Sequence, residues 1–257
     1  MEIQVLILGL IQGAIEFLPV SSSGHLVLFQ KIFGFKEMLF YDVILHFSTL
    51  IAVVVLFFKE ILTYIKNSRI ILNIIILSIP TGIIGLLVKK YFYGVYDNVL
   101  LSGFFLFITG VWLIFSERVY LSKSYEKLDI DKIDIMKAFL IGVAQGFAVL
   151  PGISRSGFML GSMLLLNVQK EQSTKFVFIA SIPSILGATF IEILDIMEKE
   201  IVFLSGYYLL GAIMAFFVGL LSLKFLVVVV KKQKLRYFGY YCFLVGFISF
   251  LVFLKVR

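Results

Sequence analysis

Long apolar segments limit this chain to folds that cross a membrane. Segments such as 70–88, 99–116 and 237–254 approach the roughly 20 apolar residues that a helix needs to span a bilayer. They do not alternate polar and apolar residues as the strands of a membrane barrel do. Hydrophobic residues make up 61% of the chain and charged residues 15%, well away from a soluble domain. The sequence therefore predicts an all-α polytopic membrane protein.

Charge and cysteine content argue against several other classes. The net charge of +7 fits basic cytoplasmic loops, and there is no basic stripe with interleaved aromatic residues, so we expect no nucleic-acid partner. The single cysteine, Cys242, cannot form an intramolecular disulfide. The N-terminus lacks the basic start and cleavage site of a signal peptide, so we expect it to be retained.

Two stretches of the chain resemble each other: LILGLIQGAIEFLPVSSSGH (6–25) and FLIGVAQGFAVLPGISRSGF (139–158). Internal repeats in membrane proteins are typical of halves with inverted topology. We therefore predict one membrane domain, 1–257, made of repeat one (about 1–118) and repeat two (about 134–257). The alignment pairs these residues: Gly9 with Gly142, Gln12 with Gln145, Gly13 with Gly146, Ser21 with Ser154, Ser23 with Ser156 and Gly24 with Gly157.

Loop charges predict how the repeats are oriented. Basic loops follow the first, third and fifth of six predicted spans, and the acidic residues Glu192, Asp195, Glu198 and Glu200 follow the fourth. With the basic loops in the cytoplasm, 138–168 must enter from and return to that side, and 1–35 must do the same outside. Each repeat is then a re-entrant helix-loop-helix plus three transmembrane helices. The six predicted spans are 42–58, 70–88, 99–116, 176–192, 204–223 and 237–254.

Both repeated stretches have the form of a re-entrant hairpin. A helix over residues 2–16 is about 22 Å long, too short for roughly 30 Å of hydrocarbon. Pro19 and Gly24 then interrupt it, as Pro151 and Gly152 interrupt the second stretch. Because non-helical backbone at membrane depth must be buried in protein or face a watery cavity, we expect the loops LPVSSSGH and LPGISRSG to meet.

The first loop carries a candidate catalytic centre. Gln12 and Glu16 are four residues apart, on one helix face, where their oxygens could hold Mg²⁺ or Ca²⁺ or orient water. Ser21, Ser22 and Ser23 could bind phosphate or supply a nucleophile. His25 could act as a general base or acid, or attack phosphorus itself. For the second histidine, His46, we favour a packed, hydrogen-bonded role.

The second loop carries a candidate anion site. Arg155 in PGISRSG is costly at membrane depth unless it meets an anion, and its planar fork suits phosphate. Ser154 and Ser156 flank it, and a buried pair with Glu16 is the alternative role for this arginine. These groups suit phosphate-ester or diphosphate chemistry on a lipid-tailed substrate. A transporter of lipid phosphates is the rival, since inverted repeats with broken helices are common in transporters.

These motifs resemble those of the undecaprenyl-diphosphate phosphatase family of the bacitracin-resistance type. The resemblance rests on QGAIE, SSSGH and PGISRSGFM and extends over nearly the whole chain. It implies a metal-dependent hydrolase of the multi-pass bacterial cytoplasmic membrane with an outward-facing site. The implied reaction removes the terminal phosphate of undecaprenyl diphosphate and recycles the carrier for cell-wall synthesis.

The resemblance also assigns roles to residues. It implies that Gln12 and Glu16 form the acidic, metal-binding element, that Ser22 and His25 are the catalytic serine and histidine, and that Arg155 binds phosphate. Met159 departs from the family pattern, which usually has threonine there. A homodimer stays open, because the sequence carries no signal for oligomeric state.

Overall fold

A computed structural model describes residues 2–34, 39–91, 98–124, 126–199, 206–232 and 234–256. The regular structure of these residues is α-helical, apart from a 3₁₀ turn at Ile130–Lys132 and an isolated bridge between Leu128 and Val168. The helices are α1 (Glu2–Ile15), α2 (Ser22–Phe33), α3 (Leu39–Leu56), α4 (Phe58–Ile65), α5 (Ser68–Tyr91), α6 (Val99–Ser122), α7 (Ile135–Phe147), α8 (Arg155–Leu165), α9 (Lys170–Lys199), α10 (Gly206–Lys231) and α11 (Leu235–Val256).

The long helices confirm a polytopic membrane protein. Within the described ranges, five helices are long and apolar enough to cross a bilayer: α5, α6, α9, α10 and α11. The count rises to six if α3 and α4 form one span, although the pair is bent by 76° near Phe57. The predicted span 42–58 therefore ends in a bend, and the predicted span 176–192 is the central part of the much longer α9.

The two predicted hairpins are present as short helix pairs. α1 has 14 residues and α7 has 13, so each is about 20 Å long and shorter than the hydrocarbon core. Residues 16–21 join α1 to α2, and residues 148–154 join α7 to α8. Pro19 and the pair Pro151 and Gly152 therefore lie in the breaks that the sequence predicts. The predicted interruption at Gly24 is wrong, because Gly24 lies in the first turn of α2, where its N–H is capped by Ser21.

Corresponding helices of the two halves pack in equivalent ways, each against a helix of the other half. α1 packs against α10 while α7 packs against α5, and α3 packs against α10 while α5 packs against α9. Glycine permits the closest of these approaches: a Cβ atom on Gly9 would lie 2.5 Å from the Gly211 carbonyl oxygen, and one on Gly142 would overlap Leu77. This equivalence supports two related halves, whose inverted topology stays a prediction.

Charged loops gather at one end of the helix bundle. Lys175 at the start of α9 lies 3.1 Å from Glu60 of α4, and Lys231 at the end of α10 lies 3.0 Å from Glu171. Asn73 of α5 donates to the Ile133 carbonyl at 3.0 Å. The loops predicted to be cytoplasmic thus share one side of the protein. Of the predicted acidic loop, Glu192 is exposed, Glu200 lies outside the described residues, and the side chains of Asp195 and Glu198 are not described.

A buried carboxylate at this end ties three helices together. Glu117 of α6 is 2% exposed and accepts hydrogen bonds from the Leu235 and Arg236 backbone N–H groups, at 3.0 and 3.1 Å. These are orphan donors at the N-terminus of α11. The Lys170 ammonium, itself 8% exposed, lies 3.8 Å from the same carboxylate.

Replacing Glu117 with alanine should destabilise the protein by about 3 to 5 kcal/mol, because it leaves Lys170 buried and unpaired. Unfolding in mixed micelles of graded denaturing detergent would measure the loss. Glu126→Gln is the matched control, since this glutamate is exposed and its change should stay within about 0.5 kcal/mol. Equal stability of the two variants would mean that Glu117 does not hold α11 in place.

Candidate active site

The two hairpin loops meet, as the sequence predicts. The Gly152 N–H donates to Ser21 Oγ at 3.1 Å, and Ser156 Oγ donates to the Leu18 carbonyl at 3.2 Å. A Cβ atom on Gly24 would lie 2.9 Å from the Gly152 Cα atom. Gly152 also has a φ of +100°, which L-residues with a side chain rarely adopt. Glycine at these two positions therefore allows the loops to touch.

Ser21 anchors the first loop in a strained conformation. Its φ is +63°, a left-handed value that costs a non-glycine residue about 1 to 3 kcal/mol. Its hydroxyl oxygen accepts hydrogen bonds from the N–H groups of Gly24 (3.3 Å) and Gly152 and lies 3.2 Å from Ser23 Oγ. Ser21 thus caps α2 and fixes the direction in which the next residue, Ser22, points.

Glu16 lies at the centre of the site, with different groups facing its two carboxylate oxygens. Ser22 Oγ donates to Oε2 at 2.6 Å, and Gln12 Nε2 lies 3.0 Å from the same oxygen. Oε1 lies 3.8 Å from an Arg155 guanidinium nitrogen and 3.6 Å from His46 Nδ1. The Glu16 side chain is only 8% exposed. A nucleophile candidate and a cationic fork therefore both lie next to one largely buried carboxylate.

His25 is directed away from this carboxylate. Its Nδ1 lies 2.8 Å from the Ser21 carbonyl oxygen, and its Nε2 lies 3.0 Å from the Tyr241 hydroxyl of α11. The imidazole also stacks on the Tyr241 ring. Both ring nitrogens are engaged, so the structure assigns His25 to holding the strained Ser21 rather than to contact with Ser22. Its predicted catalytic role stays a prediction.

His46 reaches the site that the sequence assigned to His25. It comes from α3, which packs against α1, and its Nδ1 also lies 3.0 Å from Gln12 Nε2. The prediction of a hydrogen-bonded histidine is confirmed, but its partners are the candidate catalytic residues. No local motif signals this contact, because Gln12 and His46 are 34 positions apart in sequence and only helix packing brings them together.

The remaining candidate serines either stabilise the two loops or line the cleft beside Glu16. Ser154 caps α8 by accepting from the Gly157 N–H at 3.1 Å, as Ser21 caps α2. Ser23 is half-buried beside Ser21, and Ser156 Oγ lies 3.3 Å from Ser154 Oγ. Of these serines, Ser156 lines the cleft described next; phosphate binding by all of them stays a prediction.

A small cleft of about 20 Å³ opens beside Glu16 and Arg155. Its remaining walls are mostly apolar and come from α8 and α9. Arg155 Nη1, the nitrogen that lies 3.8 Å from Glu16 Oε1, is buried and makes no hydrogen bond, and the half-buried guanidinium borders the cleft. Met159, which departs from the family pattern, is fully buried. The cleft is lined by Glu16, Phe17, Arg155, Ser156, Met159, Val177, Phe178, Ser181 and Ile185.

The side chains around Glu16 have the donor chemistry of a hard-cation site. Gln12 is fully buried, and its Oε1 has no hydrogen-bond partner. Together with Glu16 Oε1 it presents oxygen atoms of the kind that Mg²⁺ and Ca²⁺ prefer. In the described part of the chain, no three His, Cys, Asp or Glu side chains cluster, so further ligands would have to come from other groups, substrate or water.

Comparisons of the sequence with known proteins identify its family. The family model of bacitracin resistance protein BacA matches residues 5–248. A curated relative from Carboxydothermus hydrogenoformans, named undecaprenyl-diphosphatase, is 42% identical over 250 residues, or 95% of this chain and 94% of the relative. Another of the same name from Halothermothrix orenii is 39% identical over 96% of both chains. The match covers both hairpin loops and every long helix, and this chain belongs to the bacitracin resistance protein BacA family.

Proposed function

We propose that this protein hydrolyses undecaprenyl diphosphate to undecaprenyl phosphate and inorganic phosphate, which returns the lipid carrier to cell-wall synthesis. The observation that carries the proposal is the 2.6 Å hydrogen bond from Ser22 to Glu16 beside the Arg155 guanidinium. Support also comes from the family and from relatives named undecaprenyl-diphosphatase. A site among apolar helices suits a lipid-tailed substrate.

Ser22 is the proposed nucleophile. Its hydroxyl donates to Glu16 Oε2, so the carboxylate can accept the proton as Ser22 Oγ attacks the terminal phosphorus. The bond from that phosphorus to the bridging oxygen breaks, and undecaprenyl phosphate leaves. Water then hydrolyses the phosphoserine. Attack by His25 is the weaker alternative, because both of its ring nitrogens are engaged elsewhere.

Arg155 is proposed to bind the terminal phosphate. Its half-buried guanidinium lines the cleft next to Glu16, and a planar fork can hold two phosphate oxygens at once. Arg155 and Ser22 are also the first residues of α8 and α2. The N-terminus of each helix therefore adds positive potential where charge develops on the phosphate oxygens.

A divalent cation, Mg²⁺ or Ca²⁺, is proposed as the cofactor. Gln12 Oε1 and Glu16 Oε1 would hold it, which leaves Glu16 Oε2 free for Ser22. When bound, such a cation neutralises charge on the diphosphate. The partners proposed are the polyprenyl diphosphate and membrane lipid, with a homodimer left open and no nucleic acid.

A phosphate-release assay tests the function. Purified protein in nanodiscs should release phosphate from undecaprenyl diphosphate with Mg²⁺ or Ca²⁺, and Ser22→Ala should abolish release while lipid binding is kept. Ser122→Ala is the control, because that hydroxyl is exposed at the end of α6 and donates to the Val119 carbonyl. Tight lipid binding without any release by the wild-type protein would instead favour a transporter of lipid phosphates.

The proposed location is the bacterial cytoplasmic membrane, with the active site facing outward. In a Cys242→Ser background, an impermeant maleimide added to intact cells should label Glu192→Cys and miss Lys132→Cys. Permeabilising the membrane should then expose Lys132→Cys, since the lysine side chain is 63% exposed. If Lys132→Cys alone were labelled in intact cells, the predicted orientation in the membrane would be wrong and the opposite one would hold.

A further inference from the structure

We propose that His46 Nδ1 is a third protein ligand of the divalent cation, and that it makes the site favour Mn²⁺ over Mg²⁺ and Ca²⁺. The inference rests on the cation of the proposed function. It deepens that function, because the two cation ligands assigned so far, Gln12 in the last turn of α1 and Glu16 directly after it, both supply oxygen.

The three side chains converge from two packed helices. His46 of α3 approaches Gln12 Nε2 to 3.0 Å and Glu16 Oε1 to 3.6 Å, in each case with Nδ1. Gln12 is fully buried, and the Glu16 and His46 side chains are 8% and 25% exposed. The cluster is thus largely shielded but open on the histidine side, where water or a diphosphate oxygen can complete a coordination shell.

Without a cation, the hydrogen bonds of this cluster conflict. If Gln12 Nε2 donates to both neighbours, as oriented here, Gln12 Oε1 is buried without a partner. The His46 Nδ1 lone pair then also faces a carboxylate oxygen. If the amide is turned over, its oxygen lies 3.0 Å from Glu16 Oε2 instead, and two acceptors oppose each other. A cation removes both conflicts, because it attracts the lone pairs of all three side chains.

One imidazole changes which cation the site prefers. Oxygen ligands alone suit Mg²⁺ and Ca²⁺, whereas imidazole nitrogen is a good ligand for first-row transition metals. A set of one carboxylate, one amide oxygen and one imidazole still suits Mn²⁺, which accepts both ligand types. His46 therefore makes the site more selective than two oxygen ligands would.

Electron spin-echo spectroscopy of bound Mn²⁺ tests this ligand directly. The chain has two histidines, so protein purified without a histidine tag offers only His25 and His46 as imidazole sources. The wild-type protein should show modulation from a directly coordinated ¹⁴N nucleus. That modulation should disappear in His46→Gln and persist in His25→Gln. Its absence from the wild-type protein, or its persistence in His46→Gln, would overturn the proposal.

Cation affinity gives a second readout that does not depend on turnover. His46→Gln should weaken Mn²⁺ binding at least about tenfold, the lower end of losses seen when even the surroundings of a metal ligand are altered. Ca²⁺ binding should weaken much less. Equal loss for the two cations would contradict the selectivity. Phosphate release with Mg²⁺, measured on the same wild-type preparation, distinguishes the two proposals. Release of phosphate without imidazole coupling would contradict this inference alone. No release of phosphate with any cation would contradict the proposed function.

Discussion

Arg155→Ala is expected to lower kcat/KM for phosphate release by about 10³-fold or more, the range seen when an arginine that stabilises phosphoryl transfer is removed. The guanidinium lines the cleft, and its Nη1 lies 3.8 Å from Glu16 Oε1 without a hydrogen bond. We therefore expect a bound phosphate to become its main hydrogen-bonding partner. Steady-state kinetics with the lipid diphosphate in nanodiscs would measure the change.

Two further variants test whether the effect comes from the shape of the Arg155 side chain, from its charge, or from a general loss of an arginine. Arg155→Lys keeps a positive charge but loses the planar fork, so its activity should fall between those of wild type and Arg155→Ala. Arg118→Ala removes an exposed arginine of α6 and should leave kcat/KM unchanged. If Arg155→Lys were fully active, charge alone would suffice and the fork-shaped contact proposed here would be wrong.

Glu16→Gln should reduce kcat by about 10²- to 10⁴-fold, the usual contribution of a positioned base. The amide keeps the size of the side chain and can still accept a hydrogen bond from Ser22, but it cannot take the serine proton. Single-turnover kinetics would detect the loss at the step that releases undecaprenyl phosphate.

The matched control for Glu16→Gln is Glu60→Gln, which removes a carboxylate that pairs with Lys175 at the basic end of the bundle. It should keep near wild-type kcat. Because Glu16 also faces Arg155 and His46, the thermal stability of both variants should be compared. If the Glu16→Gln protein folds normally and turns over at the wild-type rate, Glu16 is not the base.

Local sequence predicted the parts of this site that depend on local chemistry. α1 and α7 end shortly before Pro19 and Pro151 and are too short to span a bilayer. Because buried loops must find partners, the meeting of the two loops could be predicted. The four-residue spacing of Gln12 and Glu16 puts them on one helix face. The cost of an arginine at membrane depth pointed to an anion at Arg155.

Helix packing and backbone conformation could not be predicted in this way. His46 joins Glu16 only because α3 packs against α1, and Glu117 caps α11 only because α6 and α11 are neighbours. His25 turns away from Ser22 because its ring bonds the carbonyl four residues back, at the strained Ser21. Closeness in sequence made His25 the candidate partner of the serines, but it carries no information on where a side chain points. His46 is the histidine that lies next to Glu16, and the catalytic role of His25 stays a prediction.

The position of the phosphate on the enzyme tests the central claim most directly. Substrate labelled in its terminal phosphate should be mixed with the protein, quenched within one turnover, and the labelled peptide sequenced by mass spectrometry. We predict an acid-stable phosphoserine at Ser22 that forms and decays at the rate of turnover and is absent from Ser22→Ala. An acid-labile phosphohistidine at His25, or a turnover with no covalent label, would contradict the account.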